Sequence, residues 1–443
     1  RDLHSFPTRR SSDLYDYLKA EVGVCMGSLI ILYLLWADDL ILISNSVEGL
    51  QRQLDGLFTF CSDNHTVVNE IKTNCMAYGN VKPFKVFFNG NVIEQVMKYK
   101  YLGNVTKAIK MASGDTFGEN YKYLCDQARK AIFSLQKKLR AIGKLPPKLL
   151  FHAFDTLIKP ILIYGSDVWG ISATGRLTVD KVFFQFMRCA ISVKATTSNV
   201  ITLGECGLLP QSVGCQISVL CFLNRLHNMA GDRVVKQVFL ELSNLNSRGF
   251  NTWVTQACEL AQRYKLDVYQ SPTVFKQECK TVITKNFISS WLSDLTNIEK
   301  YPILRTYCNF KDNFHTEPHL YLVKDSQYCT AITQIRTSSH ALEIERGRYT
   351  RPKTLVDDRL CPTCNVIEDE IHFVTSCEIN QPERKKLINK IALLYPTFED
   401  CRPREQFHYL LRNNNPQVLT WFGKFLHISF KIRALQHSIS LPS

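Results

Sequence analysis

The stretch Leu29–Ser44, LIILYLLWADDLILIS, is the most apolar part of this 443-residue chain. One apolar run ends at Trp36, Asp38 and Asp39 follow, and a second apolar run begins at once. Short apolar runs separated by a break are typical of buried strands. The stretch therefore predicts a β-hairpin with two carboxylates at its tip.

The two aspartates need a physical reason to lie among so many apolar residues, because burying an unpaired carboxylate is costly. A hard cation such as Mg²⁺ is one reason, since it takes carboxylate oxygens together with substrate phosphates. An ordinary turn is another, because Asp is a common turn residue. The residues alone leave both interpretations open.

The composition indicates a folded protein with an anionic partner. The formal net charge is +14 and 45% of the residues are hydrophobic, which is ordinary for a globular protein. Such a basic excess favours nucleic acid as the partner, with a merely basic soluble protein as the alternative. The length admits two or three domains.

The 16 cysteines are scattered, and most lie inside apolar runs. This predicts reduced, buried thiols in an intracellular protein rather than a disulfide framework. The apolar stretch is interrupted well short of the roughly 20 apolar residues that a spanning helix needs. We therefore expect no membrane partner and no secretory signal.

Residues 1–14 show no apolar period, and from Asp2 they resemble the in-frame translation of a sequencing adapter. We expect them to be a disordered artefact that replaces a lost upstream sequence, with a genuine basic tail as the alternative. After the hairpin, apolar residues from Val47 to Phe58 recur at helical spacing behind Ser46, a candidate N-cap. Asn89-Gly90 between two apolar runs predicts a second hairpin.

Trp36-Ala37-Asp38-Asp39 between apolar strands resembles the catalytic hairpin of reverse transcriptases, in particular the non-LTR (LINE-type) retrotransposon branch. Three later segments resemble the same family in the same order. They are the loop Asn69–Thr73 (Asn-x-x-Lys-Thr), the primer-grip turn Tyr101–Gly103 (Tyr-Leu-Gly) and Pro160–Gly170 at the end of the thumb. The resemblance implies an RNA-directed DNA polymerase that copies its own RNA from a nicked DNA target.

The resemblance also implies roles for individual residues. Asp38 and Asp39 would bind Mg²⁺ beside the growing strand. Lys72 would lie over the incoming deoxynucleoside triphosphate and protonate the leaving pyrophosphate. Tyr101 and Gly103 would approach the primer end. From the residues alone, a solvated strand-edge lysine and a plain β-turn are the alternatives.

From Val105 the apolar period becomes helical, Gly143 ends the first helix, and Pro146 and Pro147 open the next. This pair resembles a polymerase thumb, whose basic helix contacts a duplex backbone without reading its sequence. The phosphate-contact candidates are Lys137, Lys138, Arg140 and Lys144. A solvated charged face is the alternative.

Two segments, 335–340 and 346–352, bring arginine, hydroxyl groups and an aromatic ring together. That mixture suits RNA, because arginine contacts phosphates and aromatic rings stack on unpaired bases. The candidates are Arg346, Arg348 and Arg351. An ordinary basic helix end is the alternative.

Cys361, Cys364, His372 and Cys377 form the pattern Cys-x2-Cys-x7-His-x4-Cys. Such a set can close a structural tetrahedral Zn²⁺ site and fold a segment that is too short for its own core. It resembles the zinc knuckle that follows the thumb in the same retrotransposon enzymes. Four unrelated residues in a cysteine-rich chain are the alternative.

The patterns predict an α+β fold, and the resemblance implies an incomplete palm, a mainly helical thumb and C-terminal region, and a small zinc knuckle. The expected domains are a partial palm at 15–104, thumb helices at 105–170, a helical region at 171–355, the zinc knuckle at 356–380 and a helical tail at 381–443. The expected partners are an RNA template, a DNA primer or target and deoxynucleoside triphosphates. The resemblance also implies an intracellular protein in a reducing compartment, the cytoplasm, with nuclear access.

The family completes its metal site with a further Asp from an earlier strand. Residues 15–36 contain only Asp16 and Glu21, in no such context. We therefore expect a truncated chain that is inactive as it stands. The alternative is a non-catalytic nucleic-acid-binding relic that uses the thumb and the zinc knuckle. A viral-type RNA polymerase is disfavoured, because no Gly precedes the two aspartates.

Overall fold

The computed structural model describes residues 11–18, 23–27, 29–79, 81–108, 117–143 and 145–439. The fold is α+β, as expected, with helices dominating and strands confined to small two-stranded sheets. The strands are β1 (Val24–Met26), β2 (Leu29–Ile31), β3 (Tyr33–Trp36), β4 (Asp39–Leu42), β5 (Asn74–Cys75), β6 (Phe87–Phe88), β7 (Asn91–Val92), β8 (Glu94–Gln95), β9 (Lys98–Tyr101) and β10 (Asn104–Lys107).

Helix α1 (Ser11–Tyr17) precedes the strands, α2 (Val47–Asp63) lies between β4 and β5, and the other helices fill most of the chain after residue 117. These other helices are α3 (Gly118–Ile142), α4 (Pro147–Ala153), α5 (Lys159–Leu162), α6 (Ser166–Trp169), α7 (Ala173–Ala190), α8 (Asn199–Cys206), α9 (Gln211–His227), α10 (Val234–Ser247), α11 (Trp253–Arg263), α12 (Pro272–Thr296), α13 (His319–Leu322), α14 (Ser326–Arg336), α15 (Glu343–Arg346), α16 (Gln381–Ala392), α17 (Pro403–Arg412) and α18 (Pro416–Ile439).

The chain divides into two compact units that interleave in sequence. The hairpin unit comprises residues 1–126, 162–178 and 215–281, and the helical unit comprises residues 127–161, 179–214 and 282–443. The chain-order domains expected from the sequence stay a prediction.

The first predicted hairpin is confirmed. Strands β3 and β4 pair antiparallel, with Trp36 opposite Asp39 and a two-residue turn between them. The expectation that these strands are buried is wrong, since Leu34 is exposed and Trp36 is 67% exposed. Within the described residues this sheet has two strands, so one face of the hairpin packs near α2 and the other faces solvent.

Helix α2 covers the hairpin and forms the core of this part of the unit. The side chain of Ser46 caps it by accepting a hydrogen bond from the N–H of Gly49 (3.0 Å), and its buried residues include Leu54, Leu57 and Phe60. The disorder expected for residues 11–14 is wrong, because they begin α1 and Leu14 is fully buried in the same core. Residues 1–10 lie outside the described residues.

The second predicted hairpin is also confirmed. Phe87 pairs with Val92 and Phe88 with Asn91 across the turn Asn89-Gly90. Both turn residues have positive φ angles, 48° for Asn89 and 77° for Gly90. Asn and Gly tolerate this conformation, which matches the twist of the two strands.

The region expected to form thumb helices begins differently. Val105 pairs with Lys100 in the β9–β10 hairpin, so the prediction of a helical period from this residue is wrong. Helix α3 starts at Gly118 instead. Its predicted end at Gly143 is confirmed, with a φ of 98° and an N–H that donates to Leu139 (2.9 Å), and so is the proline start of α4.

In the helical unit, α14 and α18 pack along each other. The largest fully buried side chains of this unit include Phe407 of α17 and Phe422 of α18. Among the described residues, no single helix combines the length and apolarity needed to cross a membrane. Helices α8 and α9, with a bend of 76° between them, have that length and apolarity only when taken together. The 16 cysteines lie within the described residues, and no disulfide joins any two of them there.

Candidate functional site

The hairpin tip presents its two carboxylates to solvent. Asp38 lies in the turn, Asp39 opens β4, and both side chains are exposed. Ala37 has a φ of 54°, which a non-glycine residue rarely adopts and which produces the tight reversal. Within the described residues, no third carboxylate, thiol or imidazole joins this pair at metal-binding distance.

The turn between β9 and β10 lies near this tip. Burial raises the pKa of the Tyr101 phenol, and the negative charge of Asp39 raises it further. Two segments that are distant in sequence, the Asp-Asp hairpin and the Tyr-Leu-Gly turn, therefore interact electrostatically. The turn is tight, since Leu102 and Gly103 have φ angles of 44° and 83°.

A third segment fastens this turn. The hydroxyl of Tyr164 donates to the carbonyl of Leu102 (2.8 Å). A Cβ at Gly103 would lie 3.0 Å from the Tyr164 ring, and a Cβ at Gly165 would lie 2.7 Å from the side-chain oxygen of Asn104. Both glycines also have positive φ, so the close approach of the two segments requires them.

The buried Asn120 of α3 completes this arrangement. Its amide donates to the side-chain oxygen of Asn104 (3.2 Å), and its own oxygen accepts from the N–H of Val105 (2.9 Å). The sequence prediction missed Asn120 and Tyr164 as parts of this site. A lone asparagine among apolar helix positions is the one signal that could have indicated Asn120.

Lys72 is exposed, and its N–H closes a turn on Asn69, donating to the backbone carbonyl (3.1 Å) and to the side-chain oxygen (3.2 Å). The same asparagine carbonyl accepts from the hydroxyl of Thr73 (2.9 Å). This accounts for the Asn and Thr of the Asn-x-x-Lys-Thr pattern as turn residues. Within residues 29–79, no hydrogen bond or ion pair joins Lys72 to Asp38 or Asp39, so its catalytic role stays a prediction.

The basic candidates on α3 are partly described. Lys137 and Lys138 are exposed, and Phe133 one turn earlier is 66% exposed. The side chain of Arg140 and the whole of Lys144 lie outside the described residues. Their contact with a nucleic-acid backbone stays a prediction.

The arginine-rich candidates have different environments. Arg346 pairs with Glu343 (2.9 Å), Arg348 pairs with Glu345 (3.1 Å), and Arg351 is exposed.

The neighbouring segment 335–340 is buried throughout, so the expectation that it contacts RNA is wrong. Arg336 binds the buried carboxylate of Glu205 and His340 binds that of Glu370, because the end of α14 packs inside the helical unit.

The Cys/His set forms a compact cluster, as predicted. The ligand atoms of Cys361, Cys364, His372 and Cys377 all lie within 4.8 Å of one another. The sulfur of Cys377 lies 3.8 Å from that of Cys361 and 3.9 Å from that of Cys364. Two sulfurs on a tetrahedral Zn²⁺ with bonds of about 2.3 Å lie about 3.8 Å apart, so the sulfur positions fit this ion.

Backbone turns set these sulfur positions. The N–H of Cys361 donates to Val366 (2.7 Å), and the N–H of Asn365, which has a φ of 50°, donates to Cys361 (2.9 Å). The N–H of Glu378 points at the sulfur of Cys364 (3.4 Å), an arrangement that stabilises a thiolate. The tight turn after Cys364 therefore aims both sulfurs at one point.

The histidine of the cluster is poised as a neutral ligand. Its Nε2 is buried and has no hydrogen-bond partner within the described residues, as a metal-ligating nitrogen requires. Burial lowers the pKa of His372, which favours the neutral imidazole. Burial and the neighbouring Cys361 raise the pKa of Cys377 to about 12, so this sulfur needs a cation to become a thiolate. The donor set thus fits a structural cation such as Zn²⁺.

No protein-family profile matches the chain. The chain is similar to an uncharacterised transposon-derived protein of Caenorhabditis elegans, with 26% identity over 138 residues. The match covers 30% of this chain and 47% of that protein, so the chain spans about half the length of the curated relative it matches. This similarity supports a transposon origin.

Proposed function

We propose that this chain is part of an RNA-directed DNA polymerase of a non-LTR retrotransposon. The observation that carries the proposal is the β3–β4 hairpin, which presents Asp38 and Asp39 together at an exposed tip. The charge of Asp39 also acts on Tyr101 of the Tyr-Leu-Gly turn, the turn that the resemblance assigns to the primer end. The net charge of +14 and the similarity to a transposon-derived protein agree with a nucleic-acid partner.

In this proposal the hairpin tip binds divalent ions. Asp38 and Asp39 are exposed, hard oxygen donors at a two-residue turn, and carboxylate oxygens are the donor type that Mg²⁺ prefers. Mg²⁺ would neutralise charge on a triphosphate. Polymerase chemistry uses two such ions and needs further carboxylates, and two aspartates cannot hold both ions alone. We therefore expect this chain by itself to bind a primer–template without extending it.

A crosslinking experiment tests this assignment. The full chain is mixed with an RNA template annealed to a DNA primer that carries a photoreactive base at its 3′ end. We expect crosslinks to the peptide that contains Tyr101 and Gly103. The double variant D38N/D39N should lose the Mg²⁺ dependence of this crosslink, whereas E94Q, which removes an exposed carboxylate elsewhere in the same unit, should keep it.

The outcomes separate the proposal from its alternatives. Binding with crosslinks confined to the helical unit would favour a non-catalytic nucleic-acid-binding relic, for which the compact Cys/His cluster is the supporting observation. Absence of salt-sensitive binding would refute both, because phosphate contacts weaken steeply with salt. Measurable extension of the primer would overturn the expectation of inactivity.

A further inference from the structure

Two buried glutamates lie within the metal loop, which we define as residues 361–377. Glu368 and Glu370 are each 1% exposed and fall between the ligands Cys364 and His372. Neither belongs to the ligand cluster. Buried carboxylates are costly unless they are paired, so each must have a partner that justifies its position.

Glu370 binds groups from two distant segments. The guanidinium of Arg305 donates to both of its oxygens (3.0 and 2.9 Å). The Nε2 of His340 (3.1 Å) and the hydroxyl of Ser338 (3.1 Å) donate to the same carboxylate. Arg305 also pairs with the buried Glu345 (2.8 Å), which fixes the guanidinium in place.

Glu368 is held in the same way by the last helix. Arg433 of α18 is buried and donates through its Nε to Glu368 (2.6 Å). The N–H of Glu343, at the start of α15, donates to the other oxygen of Glu368 (2.7 Å). The metal loop is thus joined to α15, α18 and the segment around Arg305, all within the helical unit.

These contacts restrict the metal loop. If the loop moved away from Arg433 and Arg305, the buried carboxylates of Glu368 and Glu370 would lose their charged partners, which is strongly unfavourable. The ion pairs therefore keep Cys364 and His372 close to the other two ligands, and they reduce the conformational entropy that metal binding must overcome. The short separations of the sulfurs agree with a preformed site.

We propose that Glu368 and Glu370 are positioning residues for the metal centre, and that the buried ion pairs they form set its metal affinity. The proposal rests on the assignment of the Cys/His cluster as a metal site. Groups that orient metal ligands without touching the metal typically contribute about 10- to 100-fold in affinity. By linkage, bound metal must stabilise the same ion pairs by an equal factor.

Cobalt binding to the full chain provides the test, because Co²⁺ reports thiolate ligation and tetrahedral geometry by its absorption. The dissociation constants for Co²⁺ and Zn²⁺ are measured by competition with a chromogenic chelator for the wild type, E368Q, E370Q and R433K. We expect about 10- to 100-fold weaker binding for the two glutamine variants. R433K keeps the positive charge, so we expect it to fold more readily than the glutamine variants. It loses the bidentate guanidinium, so its metal affinity should lie between that of the wild type and those of the glutamine variants.

The control is E383Q, which removes a surface ion pair with Lys386 outside the loop and should bind as the wild type does. Unchanged affinity in E370Q and R433K, together with a lower melting temperature, would overturn the proposal, since the glutamates would then act on folding alone. A wild type that fails to bind Co²⁺ would refute the metal centre itself. The two failures are therefore distinguishable.

Discussion

Replacing Arg336 by Met should unfold the helical unit at a much lower urea concentration and leave nucleic-acid binding to the folded chain unchanged. Arg336 is 2% exposed and donates through Nε to both oxygens of Glu205 (3.1 and 3.0 Å). It also pairs with Glu317 (2.6 Å) and donates to the carbonyl of Leu411. Methionine keeps the apolar stem and removes the charge and every one of these hydrogen bonds.

The expected magnitude follows from the charges that remain. Glu205 and Glu317 are buried, and Lys311, which pairs with Glu317, would be the remaining buried cation of this group. Removing one partner from a buried ion pair costs about 3–5 kcal/mol. With a urea m-value of about 3 kcal/mol/M, the unfolding midpoint should fall by about 1 to 1.7 M.

Urea unfolding followed by tryptophan fluorescence measures this change. Trp291 is a suitable reporter, since it is buried and its indole donates to Val200 in the same unit (2.9 Å). The double variant E205Q/R336M should lose less stability than the sum of the two single changes, because the unpaired carboxylate is removed as well. The matched control is R346M, whose ion pair with Glu343 is half exposed and should cost under about 1 kcal/mol.

A midpoint within about 0.3 M of the wild type would refute this reasoning, since 0.3 M corresponds to about 1 kcal/mol. A stable R336M chain with weaker RNA binding would restore the interpretation of segment 335–340 as an RNA-contacting surface.

Three further predictions concern other parts of the chain. Removal of metal by EDTA should lower the melting temperature by several degrees. Zn²⁺ should restore the melting temperature and Mg²⁺ should not, because the donor set is thiolate and imidazole. Recovery with Mg²⁺ would contradict this prediction. Gly103→Ala should lower the free energy of unfolding of the hairpin unit by about 1–2 kcal/mol, measured in urea, because φ is 83° and the new Cβ would lie 3.0 Å from Tyr164. An unchanged unfolding midpoint would contradict the close packing of Tyr164 on the β9–β10 turn. A hydrogen bond from Cys279 lowers the pKa of Cys221 to about 7. The rate of alkylation of Cys221 by iodoacetamide should therefore increase as the pH rises through neutrality, because the thiolate is the reactive form. Cys279→Ala should shift this increase toward pH 9. Labelling of Cys221 that begins only above pH 8 in the wild type would contradict the last prediction.

Local features of the fold could be predicted because the residues that cause them are adjacent. Asn89-Gly90 tolerates the positive φ angles of its turn, and the apolar runs on either side of Asp38-Asp39 pair as neighbouring strands. Pro147 begins α4 and Gly143 follows the end of α3 for the same reason. The Cys/His cluster also follows from spacing, since a two-residue gap forms a turn that directs both sulfurs to one point.

Burial could not be predicted in this way, because it depends on partners far away in the chain. Arg336 looks like a surface arginine from its neighbours, and it becomes a core residue because Glu205 and Glu317 offer carboxylates inside the fold. Leu14 belongs to a segment without any apolar period, yet it fills the core beneath α2. Local backbone preferences depend on neighbouring residues. The cost of an unpaired charge or an exposed apolar side chain depends instead on which distant residues the fold places beside it.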